Sequence, residues 1–230
     1  MMKMQIDGKY CVFDYSLCPN QKDLAEKTTE YIDKRAMPML YSTLDIPIPA
    51  KKLKVYFKNI SSFTACYVWP DDVIQINQNK YNDNDLGVLI HECVHRTQYT
   101  SDANTIRQRE RIYEAVADYY RIVLSQDRKG DYYNDDKLHL VKMFDKEDAW
   151  NSISEFLAYL RRLSRNANLV KELNQALQSN KIATIDCFFT SRFNGQDWNQ
   201  LVKEYAKNRN GILKAKPETI NRYEYFTGMD

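Results

Sequence analysis

The chain has 230 residues, of which 43 % are hydrophobic and 28 % are charged, and its formal net charge at pH 7 is +2. These values are typical of a soluble globular protein with one domain, or one domain with two lobes. No apolar run is long enough to predict a transmembrane segment, and the mixing of basic with acidic residues argues against a nucleic-acid partner.

The first residues, MMKMQIDGKYCVFDYSL, contain neither the apolar core nor the small-residue cleavage site of a secretion signal. The sequence is therefore expected to be either cytoplasmic or the mature form of an exported protein. The five cysteines are odd in number and include no C-x-x-C pair. At least one of them is expected to be free or to pair between chains.

The predicted elements begin with a helix from about residue 20 to residue 35, which Pro38 is expected to end or kink. Alternating apolar residues then predict three strands, at residues 53–58, 65–69 and 73–78.

The third predicted strand is a candidate substrate-binding edge. Ile74 and Ile76 are expected to face inward and Gln75 and Asn77 outward, which would leave one edge half exposed. An extended peptide could then pair with the main chain of Gln75, Ile76 and Asn77. The alternative is a central strand with both edges paired, because the order of strands in a sheet is not readable from sequence.

A helix predicted from about residue 84 to residue 98 carries HECVH at residues 91–95, which matches the pattern H-E-x-x-H. Residues four apart share one face of a helix, so His91 and His95 can direct both imidazoles at one Zn²⁺ ion. Glu92 leaves the helix about 100° away from His91. It is predicted to hold and deprotonate a water molecule rather than to bind the metal.

A catalytic zinc site usually has three protein ligands and one position open for water. The segment RIYEAVADYY, residues 111–120, is predicted to be a helix on which Glu114 and Asp118 share a face. Glu114 is predicted to be the third ligand, and Asp118 to accept an N–H from a ligand histidine. The alternative is an ordinary acidic pair on a solvated helix face.

A donor that stabilises developing negative charge on a substrate is also expected near the metal. The candidates closest to Glu114 in sequence are Arg111, Tyr113, Tyr119 and Tyr120. Sequence does not choose among them, and Tyr119 is also a predicted substrate-contacting residue.

The remainder of the chain is predicted to be mainly helical. Apolar residues recur at helical spacing in residues 150–160, 169–177 and 198–205, which indicates helices that face a core. Residues 126–148 are polar and are predicted to form a long loop, in which His139 is expected to be an ordinary surface histidine.

The stretches HECVHRTQ, EAVADYY and AWNSISEFLAYL resemble the motifs of the basic secretory protein family, metallopeptidases of plants and bacteria with a gluzincin-type pattern of H-E-x-x-H and a later Glu. LKVYFK, VIQINQNKY, LVKELNQAL, CFF and DWNQLVKEY extend the resemblance over roughly residues 21–207. The chain departs from the family at Ala115, where glycine is usual. The resemblance implies zinc-dependent peptide hydrolysis and a secreted or periplasmic location.

We therefore predict a single α+β, zincin-like domain. Residues 1–99 are expected to form an N-terminal lobe with a small mixed sheet and the active helix, residues 100–210 a helical lobe, and residues 211–230 a tail.

The predicted function is zinc-dependent hydrolysis of a peptide or protein substrate by a zinc-bound water that Glu92 activates. The alternative is a binding protein on a zincin scaffold, with zinc structural or vestigial. Glu92 favours the enzyme, because a structural site has no use for a carboxylate beside its ligand.

Overall fold

The computed structural model describes residues 4–60, 63–98, 103–125, 150–179 and 181–214. The predicted loop at residues 126–148, His139 and the predicted tail lie largely outside these ranges. Packing divides the chain into two units: residues 1–97 with 124–130, and residues 98–123 with 131–230. The single domain with lobes at residues 1–99 and 100–210 stays a prediction.

The first unit contains the sheet, and its elements follow the chain in order. They are β1 (Gln5–Asp7), β2 (Cys11–Asp14), a 3-10 turn (Pro19–Gln21), α1 (Lys22–Tyr31), a π-helical turn (Ile32–Ala36), α2 (Met37–Leu44), β3 (Leu53–Lys58), β4 (Ala65–Val68), β5 (Val73–Asn77) and α3 (Val88–Gln98). The second unit contains Gln98 at the end of α3, α4 (Ala103–Ser125) as far as residue 123, α5 (Trp150–Ser164), α6 (Leu169–Gln178), α7 (Ile182–Arg192) and α8 (Trp198–Lys214). The predicted α+β class is confirmed.

The five strands lie in the order β1-β2-β3-β5-β4. β2, β3 and β5 are mutually parallel, while β1 and β4 are antiparallel to their neighbours, so the sheet is mixed, as predicted. β3 alternates buried and more exposed residues, and buries Leu53, Val55 and Phe57 in the period of two that a half-buried strand shows. β4 is an outer strand, and β5 lies inside the sheet.

The first helical region is longer than predicted. Instead of ending near residue 35, the chain passes through the π-helical turn into α2, where the N–H of Met37 bonds to the carbonyl of Ile32. Pro38 is the second residue of α2 and lies directly after the π-helical turn, the kind of helix irregularity that accommodates a proline without an N–H to donate. α2 ends instead at Asp45, which adopts the left-handed conformation with φ 57°.

Asp33, in the π-helical turn, fastens the connection between β1 and β2. Its carboxylate accepts the backbone N–H groups of Lys9 and Tyr10. A carboxylate that caps two main-chain amides fixes a turn strongly, because both bonds are charge-assisted. Neither β1 nor β2 was predicted, since each is only three or four residues long.

α3 begins at Val88, four residues later than predicted. The chain just before it makes tight turns, in which the N–H groups of Val88, Leu89 and Ile90 each bond to the carbonyl three residues earlier. The helix nevertheless includes the whole H-E-x-x-H motif.

In the second unit, the predicted helical stripes correspond to α5, α6 and α8, but α7 was not predicted. Phe156 of α5 lies at the centre of an aromatic cluster, with ring centroids 5.0 Å from Trp198 and 5.3 Å from Tyr205. None of the five cysteines, all of which lie within the described residues, forms a disulfide bond. Among the described residues, none of the helices combines the length and the apolar character needed to cross a membrane.

Candidate metal centre

The two histidines of the motif lie side by side on α3. His95 is buried and His91 is half-buried. Their Nε2 atoms are 3.0 Å apart, and the rings meet edge to face with centroids 4.7 Å apart. Two imidazole nitrogens directed at one point are the arrangement that the spacing of four residues predicts.

Glu114, on α4, joins them. Ligand atoms of His91, His95 and Glu114 all lie within 4.8 Å of one another, and the group could hold a metal ion. Two ligands at 2.0–2.1 Å from a tetrahedral zinc would be roughly 3.3 Å apart. The histidine nitrogens are therefore close to the separation that such an ion requires, and two imidazoles with one carboxylate form a donor set known from catalytic zinc sites.

The position of Glu114 has support that the sequence analysis missed. Gln98 is the last residue of α3 and is fully buried. Its amide donates to the main-chain carbonyl of Tyr113, the residue before Glu114, at 3.2 Å. The only available signal was the position of Gln98, three residues after His95 in HECVHRTQ. Asp118 lies one helical turn after Glu114 and is half-buried, and its bond to a ligand histidine stays a prediction.

Glu92 is buried, with 4 % of its surface exposed, and it is not a member of the metal-binding group. Its Oε2 accepts the backbone N–H of Tyr67, in β4, at 2.6 Å. A hydrogen bond to an ionised acceptor is short and strong. Since β5 occupies one edge of β4, the N–H that reaches Glu92 belongs to the other edge, where no described strand pairs.

The prediction that the strand at residues 73–78 offers an open edge to substrate is wrong; this strand is β5 (Val73–Asn77). β5 pairs with β3 on one side and with β4 on the other. The side chains of this strand are also engaged within the fold. The Gln75 amide donates to the Tyr56 hydroxyl at 2.8 Å, and Ile76 is fully buried. The prediction failed because β4 precedes β5 in the chain but lies beyond it in the sheet, so β4 covers the edge of β5 that was expected to be open.

Asn77, predicted to face outward, is 1 % exposed. Its amide nitrogen donates to the main-chain carbonyls of Ile60 and Phe63, and its oxygen accepts the N–H of Asn79. The Asn77 side chain therefore holds the main chain of Ile60 and of Phe63. Its polar character alone could not reveal that role.

The predicted oxyanion donors differ in their surroundings. Tyr113 is fully buried and its hydroxyl donates to the Leu177 carbonyl at 3.2 Å, whereas Arg111 is exposed. Tyr119 and Tyr120 are both buried, and burial raises the pKa of each phenol. Contact between Tyr119 and a substrate stays a prediction.

Three further residues form a cluster beside Glu92 that the sequence analysis did not single out. Arg96 follows His95 directly, and its guanidinium binds the Asp72 carboxylate with two hydrogen bonds, of 2.7 and 2.9 Å. The Tyr67 hydroxyl donates to the same carboxylate at 3.2 Å. The position of Arg96 beside a predicted ligand was the available sequence signal.

A family model described as "peptidase of plants and bacteria" (BSP) matches residues 70–205. No curated protein and no solved structure matches the chain. The matched residues cover more than half of the chain and include α3, α4 and the three residues of the metal-binding group. The chain therefore belongs to the BSP family, the peptidases of plants and bacteria that its motifs resemble.

Proposed function

We propose that the protein is a zinc-dependent metallopeptidase of the zincin type, with Glu92 as the general base. The observation that carries this proposal is the separation of roles on α3. His91 and His95 join Glu114 in a group able to hold a metal, while Glu92 stays outside the group and is held by the Tyr67 N–H.

Zn²⁺ is the proposed metal because two imidazoles and one carboxylate suit it and leave a fourth position open. A bound Zn²⁺ would supply a water molecule with a pKa near 7 and would polarise the carbonyl of a substrate. His91, His95 and Glu114 hold the ion, and Asp118 orients a ligand histidine.

Glu92 accepts a proton from the attacking water and returns it to the amine that leaves. The Tyr67 N–H occupies Oε2, so we assign proton transfer to Oε1. Burial excludes bulk water from this carboxylate, and the N–H bond fixes its orientation before substrate arrives.

The substrate is proposed to be a peptide or protein in extended form. Because β5 is paired on both edges, we place the peptide along the edge of β4 that faces away from β5, next to Glu92. We propose no nucleic-acid partner. The proposed location is secreted or periplasmic, and it rests on the resemblance of the motifs to the basic secretory protein family.

The test combines metal analysis with digestion of a broad peptide library. Protein purified without added metal should contain one zinc per chain, and the His95→Ala variant should contain far less. Glu92→Gln should keep the zinc and lose roughly 10²–10⁴-fold in turnover, the usual contribution of a general base.

The matched control is Glu110→Gln, which makes the same chemical change at an exposed position of α4. It should retain both zinc and turnover. Equal zinc in the parent and His95→Ala would remove the metal assignment. Zinc without cleavage of any library peptide would favour the binding-protein alternative, and undiminished turnover in Glu92→Gln would remove the assigned base.

A further inference from the structure

We propose that Asp72 and Arg96 are positioning residues for Glu92. They hold the side chain of Tyr67, and the main-chain N–H of Tyr67 holds the Glu92 carboxylate. The consequence for turnover rests on the proposed peptidase function, whereas the chain of contacts is a property of the folded protein alone.

Two pairs of residues on α3 share the spacing of four, displaced by one position. His91 and His95 form the first pair, and Glu92 and Arg96 form the second. Residues four apart lie on one helix face. The second pair therefore presents a carboxylate and a guanidinium along a single face, and both reach the β4–β5 hairpin.

The contact between Arg96 and Asp72 fixes both side chains in one geometry. The Arg96 side chain is only 4 % exposed, and Nε and Nη2 bind Oδ1 and Oδ2 of Asp72 in a bidentate pair. Nη2 also donates to the Lys51 carbonyl at 2.8 Å. Fork geometry fixes orientation as well as distance, which a lysine could not do.

Asp72 transmits that position to Tyr67. Asp72 lies in the turn between β4 and β5, and its Oδ1 accepts a hydrogen bond from the Tyr67 hydroxyl at 3.2 Å. Burial raises the pKa of Tyr67, and the negative charge of Asp72 and the hydrogen bond to it raise it further. The phenol is therefore protonated near neutral pH and donates the bond.

Tyr67 thus makes two contacts of different kinds. Its hydroxyl bonds to Asp72, while its backbone N–H bonds to Glu92 Oε2. The β4–β5 hairpin and α3 are joined at two points, Tyr67–Glu92 and Asp72–Arg96, which lie one helical turn apart on α3, so a shift of the turn that contains Asp72 would move the amide that orients the base.

The structure also selects the best substitution. Asp72 has a positive φ of 57°, a conformation that Asp and Asn tolerate better than most residues. Asp72→Asn therefore keeps the backbone and the shape, and replaces one acceptor oxygen by a donor that faces the guanidinium. The matched control is Asp71→Asn, the same change at the exposed neighbouring position of this turn.

Both variants are to be made in the full chain and loaded with zinc. Asp72→Asn should lower kcat by roughly 10–100-fold, as loss of a supporting partner does, with KM changed less than twofold and zinc content equal to the parent. Asp71→Asn should match the parent in all three quantities. A purely stabilising role for Asp72 would leave kcat of the folded protein unchanged.

A spectroscopic readout is independent of turnover. The Tyr67 amide proton should resonate far downfield in the parent, because it bonds to a carboxylate at 2.6 Å, and should move upfield in Asp72→Asn but not in Asp71→Asn. If the parent cleaves no peptide, this readout still tests the contacts, so failure of the proposed function and failure of the network are distinguishable.

A second variant keeps the test sharp should Asp72→Asn fold poorly. Tyr67→Phe removes only the hydroxyl and leaves the backbone N–H in place, with Tyr56→Phe in β3 as control. Tyr67→Phe should lower kcat and shift its amide proton in the same direction, and the double variant with Asp72→Asn should be no slower than the slower single variant. Amide shifts and kcat in both variants equal to those of their controls would overturn the proposal.

Discussion

The backbone N–H of Tyr67 lies 2.6 Å from Oε2 of Glu92. The donor belongs to the main chain of an outer strand, so no substitution of Tyr67 except proline removes it directly. The orientation of the carboxylate therefore depends on where β4 lies, and the fold itself supplies the contact that prepares Glu92 for its proposed role.

Glu114→Ala should remove a metal ligand. We expect the zinc affinity to fall by more than the roughly 100-fold that marks the upper range for an outer partner of a ligand. Competition with a chelator of known affinity measures the change, and Glu110→Ala on the same helix serves as control. Unchanged affinity in Glu114→Ala would show that the carboxylate does not bind the ion.

Asp118→Ala should weaken zinc binding by about 10–100-fold without abolishing it, because its predicted role is to orient a ligand histidine. The same chelator competition applies. The order of the two variants is the informative result, since a larger loss in Asp118→Ala than in Glu114→Ala would exchange the roles of the two carboxylates.

Asn77→Ala should destabilise the protein rather than weaken substrate binding. The substitution leaves the main-chain carbonyls of Ile60 and Phe63 without this buried donor and the Asn79 N–H without its acceptor, at a cost of about 1–3 kcal/mol in the free energy of unfolding. Urea denaturation measures this, with exposed Asn79→Ala as control. A selective rise in KM with unchanged stability would instead indicate that Asn77 contacts the substrate.

Gly8→Ala should also destabilise the protein. A Cβ at this position would lie 2.4 Å from Oδ2 of Asp33, the carboxylate that accepts the amides of Lys9 and Tyr10. Relief of the clash must displace that carboxylate, so we expect a loss of roughly 1–3 kcal/mol in the free energy of unfolding. Asp33→Asn should weaken the same turn. Gly195→Ala is the control: no atom lies within 4 Å of the added Cβ there, so it tests only the strain of a positive φ.

α3 and its H-E-x-x-H motif were predictable because their signal is local. A spacing of four residues places two side chains together on any helix, whatever the rest of the fold does. The grouping of His91, His95 and Glu114 therefore needed only a second helix with a carboxylate in the right segment. The same logic located α5, α6 and α8 from their apolar stripes.

Strand order was not predictable, and the substrate edge was misplaced for that reason. Alternation of apolar residues identifies a strand but does not say which neighbours it has. β5 follows β4 in the chain, yet β5 pairs with β3 and leaves β4 outside. The contacts of Tyr67, Asp72 and Arg96 depend on that order, so they became visible only in the folded arrangement.

α7 escaped the sequence analysis because its helical signal is weak. Ile182–Arg192 contains four β-branched residues and two adjacent phenylalanines, and its first turn has no acidic residue. Such residues have modest helix propensity. Burial of Ile185, Phe188 and Phe189 in the second unit supplies the stability that local preference does not.

The Tyr67–Glu92 contact also changes how the sheet meets other polypeptides. An outer strand normally exposes a row of unpaired amides and carbonyls on which foreign chains can grow. In β4, the Tyr67 amide is already bonded to the buried Glu92 carboxylate, so any strand that adds to this edge, the proposed peptide included, has to pair through other main-chain groups of β4. The contact therefore limits the register in which another polypeptide can add to the sheet. An apolar residue in place of Glu92 would remove this limit together with the base, whereas glutamine can still accept the Tyr67 N–H and is the sounder replacement in an inactive variant.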